Sequence, residues 1–181
     1  MAILEVRRHA MRMKPGQHLS RQGVSLARYV GKEIGPFSLV ISSPLPRATE
    51  TAIAMGFAID RVIDALGEDI PDKLFSLISW PKAISEISKL VRDNEECNRY
   101  AQAQAAHWRN VLGQIADDEA ALIISHGAII ELGAISLMPN ADHVSWGNAI
   151  GYCEGFRFSS QCGELASEVL RVPEEHQIIQ N

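Results

Sequence analysis

Three short apolar runs, ILEVRRHA, SLVISSPLPRATETA and AALIISHGAII, each end in a basic or polar cluster and then turn helical. Runs this short, bounded by helical patterns, read as buried strands of a parallel sheet, and in such a sheet ligands bind in the crevice beyond the carboxyl ends of the strands. The first run delivers Arg8 and His9, the second leads to Arg47 one turn into a helix, and the third ends at His126-Gly127. Helix starts at the same edge add backbone N–H donors that suit an anion. Two arginines and two histidines with no acidic partner in these clusters match a phosphoryl group better than a metal ion, so no cofactor and no metal are expected.

The rest of the chain extends the pattern to a three-layer α/β/α sandwich with a mostly parallel central sheet and an antiparallel edge. Ala2 to Arg8 is the first strand and residues 10 to 18 a loop. Ser20 is the expected N-cap of a helix that carries Val24, Ala27, Val30 and Ile34 up to Gly35-Pro36. Phe37 to Ser42 is the second strand, and Ser43-Pro44 opens the next helix. Residues 58 to 70 hold Val62, Ile63 and Leu66, enough for a short edge strand before Glu68-Asp69. The segment at about 71–98 is helical in tendency, is interrupted at Pro81, and is expected to form a cap beside the pocket. Tyr100, Ala103, His107, Val111 and Ile115 suggest one face of a long helix before the third strand at Ala121 to Ser125, and a helix follows from Gly127 to about Leu137. YCEGFRF and LASEVLRV then form the antiparallel pair.

At 181 residues the chain fits one domain, 1–181, with a core that needs neither disulfide nor metal. Seventeen Lys and Arg against 22 Asp and Glu give a net charge of −5, which argues against a surface that tracks nucleic acid. No apolar stretch approaches the ~20 residues needed to span a bilayer, so no membrane association is expected. Cys97, Cys153 and Cys162 are odd in number and lack CxxC spacing, and the first residues do not read as a signal peptide; reduced, incidental thiols and a cytoplasmic setting are the expectation.

Arg8-His9-Ala10 resembles the Arg-His-Gly with which the histidine phosphatase, or phosphoglycerate mutase-like, superfamily begins its signature. Leu19-Ser20-Arg21-Gln22-Gly23 is similar to the family's L-[ST]-x-x-G at the start of the first helix, and Ser43-Pro44-Leu45-Pro46-Arg47-Ala48-Thr49-Glu50-Thr51-Ala52 and Ser125-His126-Gly127 follow in the family's order. Leu66-Gly67-Glu68 looks like the L-x-E that carries the proton donor, and Asn148 resembles an Asn common before the last strands. These motifs extend over roughly residues 3 to 150. The chain departs from the pattern at Ala10, which stands where Gly is usual, and in the short loop to Leu19, which resembles the compact phosphatases more than the mutases.

The resemblance implies hydrolysis of a phosphomonoester or phosphohistidine through a covalent phosphohistidine on His9, with Arg8, Arg47 and His126 neutralising the phosphoryl oxygens and Glu68 as proton donor. Arginine suits this role because its planar fork donates two parallel hydrogen bonds and keeps its charge. The substrate is then a phosphorylated small molecule or phosphoprotein. Arg12 is a further substrate-binding candidate; Lys14 and His18 are read as solvated loop residues. Alternation along the strand turns Arg7 away from Arg8 toward a structural partner, and Arg47 has an alternative partner in Glu50 at i,i+3. Asp69 is the alternative acid to Glu68. Trp80, Trp108 and Trp146 are expected to pack. Two other functions stay open on sequence: a noncatalytic module that binds a phosphorylated ligand, and a phosphomutase. Oligomeric state is open.

Overall fold

The computed structural model describes residues 1–67, 70–161 and 163–178. Its centre is a six-stranded sheet in the order β3-β2-β4-β1-β5-β6. The strands are β1 (Ala2–Arg8), β2 (Leu39–Ser42), β3 (Arg61–Val62), β4 (Ala120–Ser125), β5 (Gly155–Gln161) and β6 (Glu164–Leu170). β3, β2, β4 and β1 run parallel, while β5 and β6 are antiparallel. Parallel neighbours need crossover helices, and these cover both faces. One face holds α1 (Arg21–Gly31) and α2 (Pro46–Ala54); the other holds α4 (Ile84–Asp93), α5 (Glu95–Leu112) and α6 (Ile129–Leu137). The fold is therefore the α/β sandwich with an antiparallel edge that the strand pattern suggests.

Strand alternation sorts the core into two halves. Leu4, Val6, Ile123, Phe156 and Phe158 pack toward α4, α5 and α6, whereas Val40, Leu122 and Ile124 pack toward α1 and α2. The same alternation puts Arg8 on the α6 side and sends Glu5 and Arg7 to the other. There Glu5 pairs with Arg7 at 2.8 Å and with its cross-strand neighbour Arg157 at 2.7 Å, and Arg7 also donates to the Cys153 carbonyl.

Local signals set most element ends. Ser20 Oγ accepts from Gly23 N at 3.0 Å and caps α1. α1 closes at Gly31, short of Gly35-Pro36, because the Lys32 and Glu33 amides turn back onto Tyr29 O and Val30 O. α5 starts at Glu95, earlier than its apolar pattern suggests, since Asn94 caps it through Cys97 N and Glu95 and Glu96 favour the dipole of its first turn. Its buried face is also rotated from the expected one: Ala101, Gln104, Ala105, Trp108 and Val111 point inward, and Ala103 is exposed. The Trp108 ring decides this by lying against Gly133 of α6 and Phe158 of β5. YCEGFRF is strand only from Gly155; Tyr152 to Glu154 form a bend, with Cys153 at φ 60°.

The segment at 71–98 divides in two. α3 (Asp72–Ile78) and Trp80 border the crevice beyond β1 and β4, while α4 packs against α5 and α6. Buried Cys97 and Cys153 are unpaired thiols, and burial pushes them up to about 11 and about 12. Cys162 lies outside the described residues. No helix of the described residues is long and apolar enough to cross a membrane.

Candidate active site

Arg8 and His9 leave the C-terminal end of β1, held there by backbone bonds from Arg8 N to Glu154 O and from His9 N to Ser125 O. The next amide, Ala10 N, donates to Thr51 Oγ1 at 2.9 Å, and Thr51 in turn donates to Arg47 O at 2.6 Å. Thr51 thus joins the loop after the histidine to the first turn of α2. It is the penultimate residue of the RATETA string, and neither composition nor periodicity singles it out.

His9 Nδ1 faces the carbonyl of Ala10 at 2.7 Å, so Nδ1 carries the proton and Nε2 keeps its lone pair. Arg47 Nε reaches His9 Nε2 and His126 Nδ1, each at 3.2 Å. His126 Nε2 then donates to Ser43 Oγ at 2.7 Å, which defines the opposite tautomer for the second imidazole. The two rings lie 5.1 Å apart, centroid to centroid. Burial, His126, Arg8 and Arg47 all disfavour a charge on His9 and hold it well below the usual histidine range. Burial, Arg47 and Arg8 take His126 down to about 3. Both imidazoles are neutral at physiological pH.

Arg8 is only 4% exposed. Its guanidinium lies 4.0 Å from the Tyr152 ring and 4.6 Å from the Trp80 ring, and donates to Ile150 O at 3.0 Å. Burial lowers its pKa, although no ordinary pH deprotonates it. Behind it, the fully buried Glu131 accepts from Trp80 Nε1 at 2.9 Å and from Ile150 N at 3.0 Å. Burial raises this carboxyl. Trp80 therefore packs on the arginine of the site itself, held by a carboxylate one turn into α6. The alternation that turns Arg8 to this face was readable in sequence; the partners it meets there, Trp80, Glu131 and Tyr152, were not.

Among the other expected site residues, Arg12 donates to the Pro15 and Gly16 carbonyls at 3.3 and 2.7 Å and folds the loop after β1 onto itself. Glu50, the alternative partner of Arg47, instead takes His18 Nδ1 at 2.5 Å and Leu19 N at 2.7 Å and tethers that loop to α2. Burial opposes its ionisation, and these two hydrogen bonds outweigh it. Arg47 NH1 pairs with Gln17, a loop residue the sequence reading passed over. Asn148 is exposed and offers its carbonyl to Arg171. Glu68 and Asp69, the two acid candidates, lie outside the described residues.

A cavity of about 380 Å³ opens beside Arg47, His126 and Gly127, and is completed by Gly67, Ile70, Asp72, Phe75 and Ile129. Arg8 and His9 are not among its lining residues, and His9 meets it through Arg47. A larger cavity of about 720 Å³ lies away from these residues, between α4, α5 and α6. Among the described residues no group of three or more His, Cys, Asp or Glu side chains is placed to hold a metal ion.

No family model matches the chain, and no curated protein does. Solved structures do. The phosphoserine phosphatase of Entamoeba histolytica in complex with 3-phosphoglyceric acid superposes with a TM-score of 0.70 at 17% identity, over 98% of this chain and 100% of the other. A histidine-to-alanine mutant of phosphoserine phosphatase from the same organism, in complex with phosphoserine, gives 0.68 at 18% identity over 94% and 97%. A mycobacterial glucosyl-3-phosphoglycerate phosphatase in complex with VO3 gives 0.63 at 20% identity over 93% and 98%. At these identities the likeness establishes the fold.

Proposed function

We propose that this chain, which has the fold of the histidine phosphatase, or phosphoglycerate mutase-like, superfamily, is a phosphatase that hydrolyses a phosphomonoester or phosphohistidine through a phosphohistidine on His9. One observation carries the reading. The Ala10 carbonyl fixes the proton of His9 on Nδ1, and the unprotonated Nε2 accepts from the Arg47 guanidinium at 3.2 Å, beside a second neutral histidine. A neutral imidazole whose lone pair is held by an arginine that can move onto an incoming anion is equipped to attack an anionic phosphorus centre. The solved structures sharing the fold include phosphatases of small phosphorylated molecules, which supports the substrate class.

In the first step His9 Nε2 forms a bond to phosphorus while the bond to the ester oxygen breaks. Arg47 turns its N–H groups from the imidazoles to the phosphoryl oxygens, joined by Arg8, whose guanidinium is held by the Tyr152 and Trp80 rings. Phosphoryl transfer needs little beyond such positioning and charge neutralisation. The leaving oxygen takes a proton from an acid, for which Glu68 is the candidate. In the second step water attacks phosphorus and gives a proton to that same acid, the P–N bond breaks with its electron pair returning to Nε2, and phosphate leaves with His9 neutral again. Arg8, Arg47 and His126 are the proposed oxygen-binding residues; Arg12, by its contacts, shapes the neighbouring loop. The unpaired buried thiols support a cytoplasmic setting.

The test is rapid mixing with a phosphoryl-labelled monoester, followed by quenching in alkaline denaturant, where phosphohistidine survives. Wild-type protein retains label on the chain and His9→Ala does not, while circular dichroism shows the variant folded. A folded His9→Ala protein with undiminished phosphatase activity overturns the assignment. Tight phosphate binding without turnover of any monoester moves the reading to a binding module.

A further inference from the structure

The surroundings of the phosphoryl position discriminate between leaving groups. Once Arg47 is engaged by phosphoryl oxygens, the cavity beside it has no other cation among its described lining residues, and Asp72 is their one carboxylate. Beside the neutral His126, the apolar part of the lining is Ile70, Phe75 and Ile129. Ile70 and Ile129 are 8% and 4% exposed and form wall, and the Phe75 ring, 44% exposed, stands free for a ligand to cover. The basic residues that a sequence reading would assign to a second anionic group are occupied on the neighbouring loop: Arg12 by the Pro15 and Gly16 carbonyls, and His18 by Glu50.

We propose that this pocket selects phosphomonoesters with an apolar, carboxylate-free leaving group, aryl esters foremost, and rejects those whose leaving group carries a carboxylate. This rests on the phosphatase reading for turnover. The selectivity itself rests on Asp72, Phe75 and the two isoleucines. An aryl ring gains burial against Ile70, Phe75 and Ile129. A carboxylate at the same place is repelled by Asp72, with no second cation among the described lining residues to receive it.

The experiment compares phenyl phosphate with 4-carboxyphenyl phosphate, which differ by one carboxylate, in phosphate-release assays on the full chain. The expected kcat/KM ratio favours phenyl phosphate by about 5- to 10-fold at low salt, the size of a partly screened like-charge contact. It narrows in 0.5 M NaCl and in Asp72→Asn, and reverses in Asp72→Lys. A ratio at or below one, or a ratio that neither salt nor Asp72→Lys moves, overturns the proposal. Hydrolysis of neither ester counts against the phosphatase reading alone, and calorimetric titration of the same chain with the two esters then decides the selectivity: tighter binding of phenyl phosphate supports it, equal or weaker binding overturns it.

Discussion

Gly127 shows how closely single residues are fitted around Arg8. A Cβ at this position falls 2.7 Å from the Trp80 ring and 3.2 Å from Arg8 Nε. Trp80 cannot simply swing away, because Glu131 holds its Nε1, and Arg8 lies between two rings. Gly127→Ala therefore displaces the guanidinium by a few tenths of an ångström. We expect kcat/KM to fall by about 10- to 100-fold, the scale of losing one well-aimed donor, with the melting temperature lowered by only a few degrees; steady-state kinetics beside a thermal melt measures both. An unchanged kcat/KM removes Arg8 from the oxygen-binding set. SHG alone gives no reason for this glycine beyond a turn; the reason is a tryptophan from a segment 47 residues earlier.

At the scale of elements, α2 is the part that assembles the site. Pro46 starts it at a position where a missing N–H costs nothing, and Arg47 therefore points from the first turn into the crevice. One turn later Thr51 takes the Ala10 amide, and Glu50 takes the Leu19 amide and His18. A single helix thus supplies the arginine that meets both histidines and anchors both ends of the loop that follows His9. Thr51→Val keeps shape but leaves the buried Ala10 N–H without its acceptor, at a cost of about 1–3 kcal/mol. Urea denaturation reads that loss, and Thr51→Ser recovers most of it. Equal stability of Thr51→Val and wild type removes this link from the account.

At the scale of the whole molecule, two neutral histidines buried against two guanidiniums couple stability to pH. In the unfolded chain an imidazole gains its proton as pH falls through ~6.5, whereas folded His126 stays neutral to about 3 and folded His9 is also held well below the usual range. The unfolded state therefore binds more protons below that pH, and stability present above ~6.5 is lost on acidification, by roughly 1 kcal/mol per pH unit for each histidine. Urea midpoints at pH 7, 6 and 5 test this, with His126→Gln giving the shallower dependence. An identical slope in the variant contradicts the buried, neutral state of His126. The sequence by itself determined the strand and helix order, the antiparallel edge, and the gathering of Arg8, His9, Arg47 and His126 at one end of the sheet. Period-two alternation, helix periodicity and caps such as Ser20 act over a few residues, and parallel topology aligns the strand ends. Only the tertiary structure decided which face of α5 is buried, because that depends on where the Trp108 ring meets Gly133. It alone decided that Glu50 leaves Arg47 to the histidines and that Trp80 and Glu131 back Arg8. These are contacts between side chains far apart in sequence, made according to which neighbours satisfy a charge or a buried polar atom, and no local pattern encodes them.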